Sequence, residues 1–266
     1  MDPFTQFKET QKQVWSTFAP TEQITCMPAA RLVAFARPSA GQRVLDVGCG
    51  TGVVALAAAR TGARVTGLDL TPQLVAHARE NAAIAGVDVE WHEGDAEAMP
   101  FGDGTFDVVL SQFGHMFAPR PEVVVKEMLR VLKPGGTIAF STWPPELFTG
   151  RMFALLGSYL PPPAVGAAPP PLWGKPEVVL ERMGSAVTDL IFDRGVMRSP
   201  ALSAPHMRHF FERSVGPVMK VVQNLAGEPQ RLASFRRELD ALITQYFDPT
   251  ENVVRQDYLM ARARKV

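Results

Sequence analysis

The stretch VLDVGCGTGVV, residues 44–54, decides the fold. A short apolar run that contains Asp46 is followed by glycines at positions 48, 50 and 52 and then by small apolar residues. Glycine accepts a positive φ and has no Cβ, so the pattern predicts a strand, a tight loop and the first turn of a helix. Amides exposed at such a helix start favour an anionic group on a ligand, which leaves a phosphate and a carboxylate as candidates.

Two kinds of nucleotide-binding loop fit this stretch poorly. A P-loop requires Lys after its last glycine, whereas Val53 and Val54 stand there in this chain. The dinucleotide-binding fingerprint requires Gly or Ala at its sixth position, which counted from Gly48 is Val53. The loops that follow the neighbouring strands must therefore identify the ligand.

Around this loop, short β-branched runs alternate with stretches of helical spacing. Five strands are predicted between about residues 43 and 143, the fifth after the turn KPGG at 133–136. A sixth strand is predicted near 185–197, then helices at 204–225 and 228–246, and an alternating closing strand at 254–264. This alternation indicates an α/β fold with a parallel sheet, in which ligands bind at the carboxyl ends of the strands.

Acidic residues end the second and third predicted strands. Asp69 in GLDLTP is placed to accept the hydroxyls of a ribose. Asp95 in EGDAEAMPF can accept from the amine of an adenine, and Leu70 offers an apolar face to its ring. One such acid alone is more often a helix cap or a solvated loop charge. Three acids on three successive strand ends, beside the glycine loop, indicate an adenosine together with a carboxylate.

The motifs VLDVGCGTG, GLDLTP, GDAEAMPFGDGTFDVVLS and EMLRVLKPGG occur here in one order. In this the chain resembles the class I S-adenosylmethionine-dependent methyltransferases, and among them the branch that includes quinone-biosynthesis enzymes. The resemblance implies a Rossmann-like, doubly wound sheet of seven strands, mostly parallel with an antiparallel seventh strand, plus a helical and proline-rich cap. It implies S-adenosylmethionine as the methyl donor and S-adenosylhomocysteine as the product. The implied donor contacts are Asp46, Gly48 and Gly50 at the methionine part, Asp69 and Leu70 at the ribose and adenine, Asp95 and Ala96 at the adenine, and Ser111 and Gln112 beneath the sulfonium.

The chain is predicted to form a single domain of three segments. Residues 1–42 are expected to be an N-terminal helical lid, 43–143 the donor-binding core, and 144–266 the remainder of the sheet with substrate-capping insertions. The proline-rich stretch that follows Trp143 is either an irregular surface connection or a rigid wall over the crevice.

Candidates for the acceptor site lie after the fourth strand and outside the core. His115 in SQFGHMF is predicted as a general base, with a satisfied histidine at a helix start as the alternative. For the other candidates the alternative is core packing of the aromatic residues and a solvated helix face for the histidines. The predicted substrate contacts are Trp15, Phe18, Phe117, Trp143, His206 and His209.

Composition limits the partners and the compartment. Lys and Arg number 27, as do Asp and Glu, so there is no overall basic field and no nucleic acid partner is expected. The chain shows neither a secretory signal nor a long apolar run, so we expect a cytoplasmic protein without an integral membrane segment. Cys26 and Cys49 are too few for a disulfide framework or a cysteine-built metal site, and no metal is predicted.

The sequence therefore predicts a methyltransferase that acts on a small, apolar or aromatic metabolite, with O-, N- and C-methylation left open. Residues 111–114 read SQFG and lack the Asn or Asp-Pro-Pro-aromatic sequence of nucleic-acid amino-methyltransferases. Residues 112–116 read QFGHM and depart from the Arg-Asn pair typical of quinone methyltransferases, which counts against a quinone acceptor. A quinone-type or lipid-head-group methyltransferase is therefore kept as the alternative. A further alternative, from another class, is a regulatory module that binds the donor or its product without catalysis.

Overall fold

The computed structural model describes residues 3–162 and 166–266 of the 266-residue chain. Residues 163–165, within the predicted proline-rich cap, lie outside the described part, as do residues 1 and 2 of the predicted lid. No helix in the described ranges is long and apolar enough to cross a membrane.

The protein is built from one mixed sheet with helices on both faces. The strands are β1 (Arg43–Val47), β2 (Arg64–Asp69), β3 (Val89–Glu93), β4 (Phe106–Gln112), β5 (Leu132–Thr142), β6 (Val187–Pro200), β7 (Phe247–Asp248) and β8 (Val253–Lys265). The α-helices are α1 (Pro3–Trp15), α2 (Glu22–Ala36), α3 (Val53–Ala59), α4 (Pro72–Ala85), α5 (Pro121–Val131), α6 (Phe148–Tyr159), α7 (Pro176–Met183), α8 (Ala204–Ser214), α9 (Gly216–Asn224) and α10 (Pro229–Thr244).

The strand order is β3-β2-β1-β4-β5-β8-β6, and β7 pairs with β8. Strands β1 to β5 pair in parallel, whereas β8 runs antiparallel to both β5 and β6. The predicted doubly wound, mostly parallel sheet with an antiparallel closing strand is thus confirmed. The described residues form eight strands rather than seven, because the two-residue β7 makes a hairpin with the start of β8.

Proline and glycine set many of the helix boundaries. α4 begins at Pro72, where the missing N–H costs no helical bond, and it ends before Gly86, whose φ of 65° closes the last turn. The single helix predicted at 204–225 is two helices, because Pro217 starts a new first turn after extended Val215. Gly216 is needed at this break, since a Cβ there would lie 2.0 Å from the carbonyl oxygen of Val14 in α1.

The KPGG segment departs from the predicted simple turn. It lies inside β5, where the pairing with β4 shifts from Phe106 opposite Leu132 to Val108 opposite Thr137. The extra residues bulge from the ladder, and Gly135 adopts the positive φ of 71° that this path requires.

Three apolar clusters hold the layers together. One packs α2 and α3 on one face of the sheet, and a second packs α5 and α7 on the other face. The third joins α6, α8, α9 and α10 to Val254 at the start of β8. The helices of this third cluster pack with one another and on the start of β8. The carboxyl ends of β1 to β4 are covered instead by the N-terminal helices.

Candidate functional site

A cavity of about 1100 Å³, including its mouth, lies at the carboxyl ends of β1, β2, β3 and β4. The N-terminal segment covers it through residues of α1, α2 and the connection between them. Eight of the predicted donor-binding residues line it: Asp46, Gly48, Gly50, Asp69, Leu70, Asp95, Ala96 and Gln112. Three predicted acceptor residues also line it: Trp15, Phe18 and Phe117. Residues distant in sequence are therefore brought together as a parallel sheet requires.

The glycine loop between β1 and α3 lies against the loop that follows β4. Gly48, with a φ of 66°, packs so closely on Gly114 that a Cβ would lie 2.8 Å from the Cα of Gly114. The amides of Gly48 and Cys49 donate to the carbonyl oxygen of Leu68 at 2.8 and 3.0 Å, which fixes the loop to β2. The cavity floor is therefore backbone, and a ligand can approach it without meeting side chains.

Asp46 is 1% exposed at the end of β1. Its Oδ2 accepts from the amide of Ala55 at 3.0 Å, whereas Oδ1 is buried and finds no partner in the described chain. Burial, with a contribution from the charge of Asp69, raises the pKa of Asp46 to about 8. A buried carboxylate that lacks a partner favours a cation as its ligand.

Asp69 at the end of β2 holds two loops. Its Oδ2 accepts from the amide of Gly50 at 2.8 Å, and its Oδ1 accepts from the amide of Thr71 at 2.8 Å. Burial raises the pKa of this carboxyl, and these hydrogen bonds oppose the rise. The sequence pointed to Asp69 as a ligand contact but gave no sign of its structural role in the glycine loop.

Asp95, after β3, belongs to a network of charges that the sequence analysis missed. Its Oδ1 accepts from the amide of Glu97 at 2.8 Å, and Lys8 of α1 donates to its Oδ2 at 2.5 Å. Lys8 also donates to Glu97, whose fully covered side chain accepts from Arg120 as well. Helical spacing could have indicated that Lys8 faces the cavity, because Lys8, Gln11 and Trp15 fall on one face of α1.

The two predicted residues at the end of β4 differ in position. Ser111 does not line the cavity; its hydroxyl donates to the carbonyl oxygen of Val47 at 2.6 Å and accepts from the amide of His115 at 3.0 Å. Ser111 therefore links the end of β1 to the loop that follows β4. Gln112 lines the cavity and donates through Nε2 to the carbonyl oxygen of Thr25 in α2 at 2.9 Å.

His115 lies apart from the cavity lining. It is 1% exposed, with its ring centroid 4.7 Å from those of Phe140 and Trp173, and neither ring nitrogen has a partner among the described residues. Burial, aided by the cation of Arg182, lowers the pKa of His115 to about 3. His115 belongs to the β4–α5 loop, and its buried ring, apart from the cavity lining, gives no support to the predicted role as a general base. Its two unpaired ring nitrogens also do not match the satisfied histidine of the alternative.

Three predicted acceptor contacts are likewise absent from the cavity lining. Trp143 stacks behind Phe113, with ring centroids 3.9 Å apart, and it is Phe113 that reaches the cavity. His206 and His209 are exposed on α8, because that helix turns Met207 and Phe211 into the third apolar cluster. The amphipathic pattern of α8 therefore fixes both histidines on the solvated face.

Aromatic side chains supply much of the remaining lining, and we name the following set the acceptor wall because the sequence predicts acceptor contacts at three of its members: Phe7, Gln11, Trp15, Phe18, Phe113 and Phe117. The ring of Trp15 lies 4.6 Å from that of Phe117 and 5.6 Å from that of Phe18. The titratable side chains among the described lining residues are Lys8, Asp46, Cys49, Asp69 and Asp95, none of which belongs to this wall. The sequence analysis missed Phe7 and Gln11, whose neighbours form no motif, and Phe113, which lies within the quoted SQFG stretch but was not predicted as a contact.

Comparisons with known proteins identify the family of the chain. A model of a methyltransferase domain matches residues 45–140. An uncharacterized protein of Mycobacterium tuberculosis is 35% identical over 260 residues, which cover 96% of this chain and 94% of the relative. The demethylmenaquinone methyltransferase of Thermus thermophilus is 40% identical over 117 residues, which cover 43% of this chain and 53% of the relative.

The chain belongs to the S-adenosylmethionine-dependent methyltransferase family. A solved structure of a putative methyltransferase from Bacillus halodurans aligns with a TM-score of 0.59 at 22% identity and covers 89% of this chain and 98% of the other. At that identity the likeness shows the fold alone, which is the Rossmann-like methyltransferase fold.

The residues present in this methyltransferase fit its donor. Oδ1 of Asp46 is buried and has no hydrogen-bond partner among the described residues, so it is free to accept from a cationic group on a ligand. The methyl donor carries such a group, its ammonium. The carboxyl of Asp69 lines the cavity beside Leu70 at the end of β2. The backbone floor at Gly48 leaves space for close approach.

Proposed function

We propose that the protein methylates a small apolar or aromatic acceptor, which the acceptor wall holds beside the donor. The observation that carries the proposal is the composition of the cavity, whose lining combines the three carboxylates at the strand ends with the five aromatic rings of the acceptor wall. A pocket of this composition favours an apolar ligand that a few polar groups orient.

In this proposal the residues of the donor side hold S-adenosylmethionine, which supplies a methyl group activated on a sulfonium. Asp46 binds the ammonium, and the backbone of the glycine loop accommodates the methionine part. Asp69 accepts from the ribose, whereas Leu70, Asp95 and Ala96 contact the adenine. Gln112 lines the same cavity and is held by its hydrogen bond to Thr25, and Ser111 supports the loop beneath.

The acceptor wall contributes by position and by exclusion of water. Methyl transfer is an in-line displacement, so holding the reactants close and aligned supplies much of the rate. None of the described wall residues is titratable, and His115 is buried elsewhere with a pKa near 3. We therefore expect acceptors that react without a protein base.

Incorporation of a labelled methyl group tests this proposal. The protein is incubated with labelled S-adenosylmethionine and fractionated metabolite extracts, with Asp46→Asn as the control that loses the ammonium contact. The expected result is a labelled product in an apolar or aromatic fraction that the variant forms at least about tenfold more slowly. Donor binding without any labelled product across the fractions would instead indicate a binding module.

A quinone-type acceptor is the second candidate. It is favoured by the aromatic acceptor wall, and one partial relative is a demethylmenaquinone methyltransferase. A demethylated quinone included in the same assay decides between the candidates, because a quinone methyltransferase must prefer it to other aromatic compounds.

A further inference from the structure

Helix α1 contributes to both parts of the cavity. Its Lys8 reaches the end of β3, where Nζ lies 2.5 Å from Oδ2 of Asp95. Phe7 directly before it, Gln11 one turn after it and Trp15 two turns after it belong to the acceptor wall. A single helix of 13 residues therefore joins the donor side to the acceptor wall.

The contact made by Lys8 is a mostly buried ion pair. The side chain of Lys8 is 14% exposed, and its Nζ also lies 2.6 Å from Oε2 of Glu97, whose side chain is 0% exposed. Arg120 donates to the same oxygen of Glu97 at 2.7 Å. Charges covered to this degree are costly to leave without their partners, so the pair anchors α1 more firmly than an exposed pair does.

The pair also separates two spaces. A second, more polar depression lies outside the cavity and is lined by Thr5, Glu9, Lys12, Pro72, Glu93 and Arg120. Lys8, Leu70, Gly94 and Asp95 line both spaces, so the Lys8–Asp95 pair stands in the partition between them. We therefore expect that removal of the Lys8 side chain would open the Asp95 end of the cavity to water.

We propose that Lys8 is a positioning residue of the donor site, which orients the Asp95 carboxylate and couples donor binding to closure of the acceptor wall through α1. The inference rests on the proposed function, in which Asp95 contacts the adenine. The methyltransferase domain match begins at residue 45, so Lys8 is a contribution of this chain's N-terminal segment rather than of the matched domain. The Lys8–Asp95 pair fixes the middle of α1. A helix fixed there holds Trp15 against Phe117, and this contact closes the acceptor wall.

Calorimetric titration with S-adenosylhomocysteine tests the positioning role on the full chain. We compare the wild type with Lys8→Met, Asp95→Asn and the double variant. The matched control is Lys12→Met on the same helix, where Lys12 pairs with Glu9 at the surface. Lys8→Met and Asp95→Asn should each weaken binding by about tenfold or more, and the double variant should be no weaker than Asp95→Asn alone. Lys12→Met should stay within about twofold, and Lys8→Arg, which keeps the charge, should retain more affinity than Lys8→Met.

Amide hydrogen exchange of residues 3–15 tests the coupling. S-adenosylhomocysteine should slow exchange in α1 of the wild type and of Lys12→Met but not of Lys8→Met. Unchanged affinity of Lys8→Met, or losses that add in the double variant, would overturn the role of Lys8. Unchanged affinity of Asp95→Asn would remove Asp95 from the donor site, whereas absence of binding by the wild type would contradict the proposed function itself.

Discussion

Gly48 and Gly114 meet backbone to backbone beneath the cavity. A Cβ on Gly114 would lie 2.6 Å from the carbonyl oxygen of Gly48, and one on Gly48 would lie 2.8 Å from the Cα of Gly114. The loops after β1 and β4 are therefore in contact at a point where neither accepts a side chain. This contact sets the distance between the donor side and the start of the β4–α5 loop.

Gly114→Ala should separate these two loops. We expect a loss of about 1–3 kcal/mol in the free energy of unfolding from the forced displacement, and donor affinity reduced by at least about tenfold. Chemical denaturation and titration with S-adenosylhomocysteine measure the two effects. Gly157→Ala on α6, where a Cβ meets nothing within 4 Å, is the control and should bind normally. Normal binding by Gly114→Ala would show that the loops tolerate separation.

Asp46→Asn should stabilise the ligand-free protein relative to the wild type, and this difference should grow as the pH rises. The folded-state pKa of about 8 lies above the ordinary value of 3.8, so the native state binds more protons than the unfolded chain between these values. Wild-type stability therefore falls as the pH rises from about 4 to about 8, by up to ~1.4 kcal/mol per pH unit for this group. Denaturation curves at pH 5 and pH 8 measure the difference between variant and wild type. A difference that does not grow with pH contradicts this account of Asp46.

His115→Leu should remove an acid-sensitive group without loss of activity. The folded-state pKa of about 3 lies below the ordinary 6.5, so the contribution of neutral His115 is complete above 6.5 and is lost as the pH falls towards 3. The variant should gain stability relative to the wild type at pH 5 more than at pH 7. Turnover should stay within about twofold, because the ring contacts Phe140 and Trp173 and not the cavity. A large loss of turnover with unchanged donor affinity would restore His115 to catalysis.

Phe117→Ala should weaken acceptor binding selectively. Phe117 contacts both Trp15 and Phe153 and belongs to the acceptor wall, so its loss opens space on that side of the cavity. We expect the acceptor KM to rise by about tenfold or more and the donor dissociation constant to rise by less, because the effect on the donor side passes through Trp15 and α1. Steady-state kinetics with the identified acceptor and calorimetry with S-adenosylhomocysteine separate the two. Equal losses of both affinities would indicate that the ring supports the whole cavity.

The positions of the three acids at the strand ends were predictable from the sequence because their determinants are local. A strand end fixes where Asp46, Asp69 and Asp95 stand, and parallel pairing brings the three strand ends to one edge. The closing strand was predicted from the alternation of its residues, whereas its antiparallel direction, now confirmed, was implied by the resemblance to the methyltransferase family.

The acceptor wall was less predictable because it depends on contacts between distant segments. Trp15 reaches Phe117 only through the packing of α1, and Lys8 reaches Asp95 across 87 positions of sequence. The buried position of His115 was not predictable for a related reason: the sequence places this residue after β4 but does not show which face of the loop is buried. Short 3₁₀ turns such as His115–Phe117 have no periodicity from which burial can be inferred.

The central claim is that the cavity holds the methyl donor through Asp46. Titration of S-adenosylhomocysteine into the wild type and into Asp46→Asn at the same pH tests it most directly. We predict saturable binding to the wild type with a dissociation constant between about 1 μM and 1 mM, and binding at least about tenfold weaker in the variant. Equal affinity of the two proteins, or no binding to the wild type, would contradict the claim.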